Sequence, residues 1–289
     1  MVERVAGLTI FNKMLPVGLE NRLVVAVAYD GLSPFEFGVA TELFGLARPE
    51  LDVDWYEFEV VSVDARPITA VGGITLDVES GLNRLADAGT IVLPGWRNPS
   101  ERPPSELTDA LVSAHNRGTR LMSICSGAFV LAASGLLDGQ PATTHWRHVE
   151  KLQRDYPLIE VRPDVLYVDN GRVLTSAGSA AGIDLGLHLI RRDYGPSIAN
   201  EVARRLVLPA HRDGGQAQYL PRPVAHREEQ SLANTLEWAL GRLAEPLTVG
   251  KLANHARMST RTFARRFFDA AGATPHRWLT INRVRRAQD

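Results

Sequence analysis

The sequence holds one cysteine in 289 residues, which excludes an internal disulfide framework. No Cys/His cluster has zinc-site spacing, and no metal or other cofactor is expected. No run of about 18 apolar residues occurs, which argues against a membrane-spanning helix. The apolar patch in residues 5–15 is broken by Asn12 and Lys13 and lacks a small-residue cleavage site. The chain is therefore expected to be cytoplasmic, with no membrane partner. Net charge is nearly absent too, at −1, but that value averages two unlike parts. Residues 213–289 carry 12 Lys/Arg and 7 Asp/Glu, a net of +5, whereas residues 1–212 carry a net of −6. An acidic body with a basic tail confines a nucleic-acid contact to the tail; the alternative is a solvated basic surface. The remaining composition, 45% hydrophobic and 22% charged, suits a folded chain long enough for two domains.

The lone cysteine lies in Arg120-Leu-Met-Ser-Ile-Cys125-Ser-Gly-Ala128. Residues 121–124 read as a short buried strand. Ser126 and Gly127 break it, and residues 128–137 read as a helix. A cysteine on a strand-to-helix turn has the geometry of a nucleophile elbow. The positive helix end and its unpaired N–H groups favour thiolate, which predicts a lowered pKa for Cys125. The competing reading is a small buried hydrophobe at a strand end. Twenty residues on, Ala142-Thr-Thr-His145-Trp146 predicts a short strand ending in a histidine. With both residues on neighbouring strand ends, Cys125 and His145 would form a nucleophile–base pair.

Ser123-Ile-Cys-Ser-Gly-Ala128, Gly135-Leu-Leu-Asp-Gly139 and Ala142-Thr-Thr-His-Trp146, in that order, resemble the class I glutamine amidotransferase-like, PfpI-type superfamily. Residues 173–186 and 208–218 resemble its branch fused to a DNA-binding domain, the AraC-type regulators. The resemblance covers nearly the whole chain. It implies that an acid early in the first helix reaches the elbow cysteine, and Glu36 occupies that position. A helix N-terminal acid favoured by the macrodipole is the other reading of Glu36. The resemblance also offers Asp184 to orient His145, against the plainer reading of a helix-surface acid. A homodimer is a further implication. Three functions follow: a regulator sensing a small molecule or redox signal near Cys125, a Cys-dependent amidase or hydratase of the isonitrile-hydratase kind, or an inert dimerisation scaffold. The regulator ranks first, which makes the chain a non-enzyme.

Along the chain, residues 23–29, 55–63, 90–94 and 120–124 read as strands, and residues 33–46, 106–117, 146–156, 176–193 and 196–206 as helices. Asn170-Gly171 marks a hairpin between two short strands. The alternation predicts an α/β fold with an open, mostly parallel sheet flanked by helices. Ligands bind at the carboxyl ends of strands in such folds. That places Gly95 and Trp96, after the strand at 90–94, beside Cys125, where backbone N–H groups would face a ligand anion. The expected domains are 1–210, a linker at 211–226, and a small all-α unit at 227–289.

In the last unit, residues 249–255 and 260–271 read as two short helices around Arg257-Met258-Ser259, with Thr248 and Ser259 as caps. Phe263 and Phe267, four apart, face inward. Thr260, Arg261, Thr262, Arg265 and Arg266 are left outward, as in a helix-turn-helix whose second helix enters the major groove of double-stranded operator DNA. The run resembles the first helix-turn-helix of an AraC-type domain. By that resemblance Arg261, Ala264 and Arg265 meet bases, and Thr260 and Thr262 touch phosphate. Arg257 stands where a glycine is usual, because the turn needs φ > 0. Residues 275–289 read as the start of a helix that joins two such units. By the resemblance such a helix leads to a second helix-turn-helix; either that unit lies beyond this sequence or the chain is a shortened regulator, and this chain alone is expected to bind DNA more weakly.

Overall fold

A computed structural model describes residues 21–208, 212, 214–215, 218, 226–271 and 273–288. They fall into two compact units that divide between Gly214 and Gly215.

The first unit is built from β1 (Leu23–Ala28), α1 (Pro34–Ala40), β2 (Glu57–Ser62), β3 (Ile68–Thr69), β4 (Thr75–Leu76), β5 (Thr90–Leu93), α2 (Ser105–Asn116), β6 (Arg120–Ile124), α3 (Ala128–Ala133), β7 (Pro141–Ala142), α4 (Val149–Asp155), β8 (Glu160–Val161), β9 (Tyr167–Asp169), β10 (Val173–Ser176) and α5 (Ala180–Arg205). The main sheet runs β2-β1-β5-β6-β10-β9. Its first five strands are parallel, and β9 pairs antiparallel with β10 at the edge. β1 and β5 are almost wholly apolar, and β6 is buried from Leu121 to Ile124, because both faces of the sheet are covered. Val25 and Val27 of β1 join one core layer with Leu107 and Phe129, whereas Val24 and Ala26 join the other with Leu43 and Leu185. The hairpin turn at Gly171 has φ 84°, which glycine supplies without strain.

The structure departs from the sequence reading where periodicity was short. α1 ends at Ala40 and passes into a π-helical turn, Thr41–Gly45. α3 stops at Ala133, before Gly135 at φ 75°. Residues 176–179 are not helical: Ser176 ends β10, and Gly178 and Ser179 both have positive φ. The two helices expected at 176–193 and 196–206 are both present apart from that late start: they meet at Gly195, which is not helical (φ 86°, ψ 170°) and precedes Pro196, and together they are called α5. β7 lies outside the main sheet and pairs with β8. Of the expected linker, residues 212, 214, 215, 218 and 226 are described. Gly214 is docked on the first unit, where its carbonyl accepts the Leu166 N–H at 2.7 Å.

The second unit comprises α6 (His226–Leu240), α7 (Val249–His255), α8 (Thr260–Ala271) and α9 (Pro275–Gln288). Its core gathers Leu232, Ala239, Leu252, Ala253, Phe263, Phe267 and Leu279. Trp278 of α9 packs edge-on to Phe267, with ring centroids 5.6 Å apart. Arg283 of α9 donates to the carbonyls of Leu243 and Glu245 at 2.9 and 2.8 Å, which satisfies carbonyls just past the end of α6. Among the described residues no helix is long and apolar enough to cross a membrane.

Candidate functional site

Cys125 follows β6 directly and has φ 56°, a left-handed conformation that costs a non-glycine residue free energy. Its surroundings hold it there. Gly178 approaches so closely that a Cβ at that position would lie 2.5 Å from the Cys125 Cβ and 2.8 Å from its Sγ. Gly95 lies on another side, where a Cβ would be 3.6 Å from the Cys125 Cβ. The Thr144 hydroxyl donates to the Cys125 carbonyl at 2.8 Å. The Ser126 hydroxyl donates to the Trp96 carbonyl at 2.9 Å, tying the elbow to the end of β5.

Glu36 is buried in the first turn of α1, within electrostatic reach of Cys125. Hydroxyls fix its carboxylate from two sides: Ser33 donates to Oε2, and Ser179 donates to Oε1 at 3.4 Å. Among the described residues, neither Glu36 nor His145 has a hydrogen bond to Cys125. Tyr29 stands under the same cluster. Its hydroxyl donates to the Pro94 carbonyl at 2.7 Å, and its ring packs 4.8 Å from that of Trp96. Burial, then Glu36 and Cys125, push the Tyr29 pKa well above its ordinary value.

The thiol does not have the lowered pKa that the helix start predicts. Burial first, and the Glu36 charge second, push it up to about 11, against which the Ser126 N–H and hydroxyl pull only weakly. The helix behind the elbow is a short one of six residues. A nearby carboxylate and a dry setting outweigh its partial charge.

His145 does not end a strand of the sheet. It caps a 3₁₀ turn, Trp146–His148, and its Nδ1 accepts the Arg147 N–H at 3.3 Å. Its pKa is lowered by burial and by Arg147, while Glu36 raises it. Asp184 does not orient it. Asp184 Oδ1 faces the Arg212 guanidinium at 3.5 Å, and burial raises its carboxyl pKa. Trp96 is buried, donates from Nε1 to the Glu101 carbonyl, and carries Arg97 over its ring at 4.9 Å. Arg97 pairs with Asp64 and Glu101, so the start of the Pro-rich loop is tied to the turn after β2. The sequence reading missed Ser33, Gly178 and Ser179 as wall residues. Gly178 was visible in Ser-Ala-Gly-Ser, but its neighbour Cys125 lies 53 residues earlier.

In the second unit, the Thr248 hydroxyl accepts the Lys251 N–H at the start of α7. Ser259 caps α8 by accepting the Thr262 N–H at 3.2 Å, and its hydroxyl donates to Thr262 Oγ1 at 2.9 Å. The Thr262 hydroxyl is thus part of the cap. Arg257 has φ 55°, the conformation the turn demands, and the following Met258 N–H reaches the Ala253 carbonyl at 2.9 Å. Phe263 and Phe267 are fully buried, with ring centroids 5.3 Å apart. Thr260, Arg261 and Arg265 are exposed, and Ala264 and Arg266 are half-buried beside them.

Residues 21–192 match the family model of the DJ-1/PfpI family. The chain is 30% identical over 261 residues to the HTH-type transcriptional regulator CdhR of Pseudomonas aeruginosa, a match that spans 89% of this chain and 76% of the relative. It is 29% identical over 184 residues to the isonitrile hydratase of Pseudomonas putida, across 63% of this chain and 79% of that enzyme. Among solved structures, an AraC family transcriptional regulator from Pseudomonas putida superposes with a TM-score of 0.57 at 25% identity, across 64% of this chain and 99% of that one. The sheet order, the strained cysteine elbow and these matches agree: the chain belongs to the DJ-1/PfpI family.

Proposed function

We propose that this chain is a sequence-specific DNA-binding transcription regulator whose DJ-1/PfpI unit senses a small molecule near Cys125. The observation that carries the reading is the outward face of α8. Arg261 and Arg265 stand exposed on a short helix that is capped by Ser259 and backed by buried Phe263 and Phe267. That face fits helix-turn-helix docking, with the arginines suited to guanine edges. Thr260 and Arg266 flank it as phosphate contacts, and Ala264 offers an apolar contact. The resemblance to CdhR supports the regulator reading because it extends beyond the DJ-1/PfpI region. The segment between Gly214 and α6 serves as the linker. A homodimer would match the two half-sites of an operator, and we place the protein in the cytoplasm.

We read the Cys125 elbow as part of a binding site rather than a reactive one. A thiol with a pKa of about 11 is almost wholly protonated at neutral pH, and His145 is engaged with Arg147. A second reading, a Cys-dependent hydratase, rests on the strained elbow and the resemblance to isonitrile hydratase. The same thiol pKa counts against it, and against a redox sensor.

Titration of the chain against DNA upstream of its own gene, and against a scrambled duplex, at several salt concentrations tests the proposal. Preference for the native duplex, with affinity falling as salt rises, is the expected result. Equal binding to both duplexes at every salt concentration would overturn it.

A further inference from the structure

One stretch of the first unit, residues 166–184, holds both a wall of the Cys125 site and the seat of Arg212 and Gly214. Gly214 is pressed on the Tyr167 ring, where a Cβ would lie 2.6 Å from Cε2. The ring has little freedom to give. It is buried, packs 5.0 Å from the His188 ring, and its hydroxyl donates to the Arg212 carbonyl at 3.4 Å. The Gly214 carbonyl accepts the Leu166 N–H at 2.7 Å, and the Arg212 guanidinium stands 3.5 Å from Asp184.

The seat is only weakly closed. Asp184 is buried, its Oδ2 has no hydrogen-bond partner among the described residues, and Arg212, with its side chain 38% exposed, is the one charged neighbour that favours its ionised form. A carboxylate oxygen buried without a donor costs free energy, and a long, partly hydrated ion pair returns little. At the end of α5 the chain leaves through Val207 at φ 56°, a conformation that a β-branched residue rarely adopts, and at 91% exposure almost no packing holds it there. Both features reduce the net gain from docking Arg212 and Gly214.

Two short paths join this seat to Cys125. In the first, Gly178 touches the Cys125 side chain, the preceding Ala177 donates its N–H to the Leu166 carbonyl at 2.8 Å, and the Leu166 N–H reaches Gly214. In the second, the Ser179 hydroxyl donates to Glu36 at 3.4 Å, and Ser179 opens α5, which carries Asp184 about one and a half turns further on. Ser179 is held at φ 47°, ψ −121°, so a change at Glu36 acts on a strained turn. Resting on the regulator reading above, we propose that Arg212 and Gly214 form a latch. Occupancy of the Cys125–Glu36 site shifts the turn at 177–179 and, through it, the docking of the segment that leads to the second unit. Linkage makes the coupling reciprocal, so unlatching also loosens the Cys125 site.

Two measurements on the full chain test the latch, and neither uses DNA or an effector. Gly214→Ala drives a methyl into the Tyr167 ring at a residue whose φ is not positive. It should raise the rate of Cys125 alkylation by iodoacetamide at alkaline pH by about fivefold or more. In the other direction, Ser179→Ala should speed hydrogen exchange of the Leu166 amide by a similar factor. Leu111→Ala, in the core layer on the opposite face of the sheet, controls for general destabilisation and should leave both readings near those of the unmutated chain. An unchanged alkylation rate in Gly214→Ala, unchanged Leu166 exchange in Ser179→Ala, or an equal response to Leu111→Ala would overturn the latch. If Gly214→Ala does not fold, Arg212→Ala takes its place under the same criterion. The duplex titration is read separately. Loss of duplex preference removes the regulator reading and leaves the coupling standing, whereas preference without coupling removes only the latch.

Discussion

Cys125 and Arg257 share a backbone conformation that side chains rarely adopt, at φ 56° and 55°, and the molecule treats the two differently. Cys125 is wedged. Gly178 presses on it, Gly95 lies beside it, Thr144 holds its carbonyl, and the next residue, Ser126, is anchored to the Trp96 carbonyl. Arg257 is exposed, and its turn is held by backbone hydrogen bonds and the packing of the two helices it joins. Strain at the first position is over-determined by a dense shell, which is the usual setting for a functional site. Strain at the second is a local cost that the helix-turn-helix carries. Equal φ values therefore do not imply equal roles; what surrounds the residue decides.

The comparison breaks most forcefully at Gly178. Gly178→Ala adds a Cβ into the Cys125 side chain at a position with φ 96°. We expect a loss of roughly 2–4 kcal/mol from the first unit's unfolding transition, measured by urea denaturation. A loss under about 0.5 kcal/mol would mean that the shell does not hold the elbow. The next effect is on DNA: Arg265→Ala should weaken operator affinity by about 10- to 100-fold without moving either unit's melting point. Relaxing the other strained position should help rather than harm. Arg257→Gly removes the Cβ penalty but adds chain entropy, for a net gain of about 0.5–1 kcal/mol in the second unit. The smallest effect is at the thiol. Glu36→Gln removes a repelling charge, so the pH midpoint of Cys125 alkylation should fall from about 11, yet stay above the ordinary thiol value because burial remains. An unchanged midpoint would show that burial alone sets it.

Much of the layout was legible in the sequence. Apolar runs such as residues 23–28 and 90–93 are strands because a parallel sheet buries both faces, and their β-branched residues separate them from the equally apolar helix α3. Phe263, Phe267 and the capping Ser259 specified α8 for the same kind of reason: local chemistry and helical spacing suffice. The site was less legible. Cys125 on its elbow and Glu36 nearby follow from the order of elements. The partner of His145 does not, because it is set by a main-chain N–H two residues away rather than by residue type. The thiol pKa also escaped, since helix-end polarity is local whereas burial and the Glu36 charge arise only on folding. Asp184 meets Arg212, a residue outside the expected sensor boundary.

The break at Gly195 has a consequence for opening motions. Pro196 brings no N–H, and the backbone leaves helical geometry just before it, so the amides of residues 197 and 198 lack the usual acceptors of a continuous helix. Hydrogen exchange should divide α5 into two blocks at that point. The block before Gly195, packed on β6 and β10, should exchange only with global unfolding. The block after it, ending at Arg205, should open by a separate and lower-energy event. The two segments of α5 should then behave as two cooperative units.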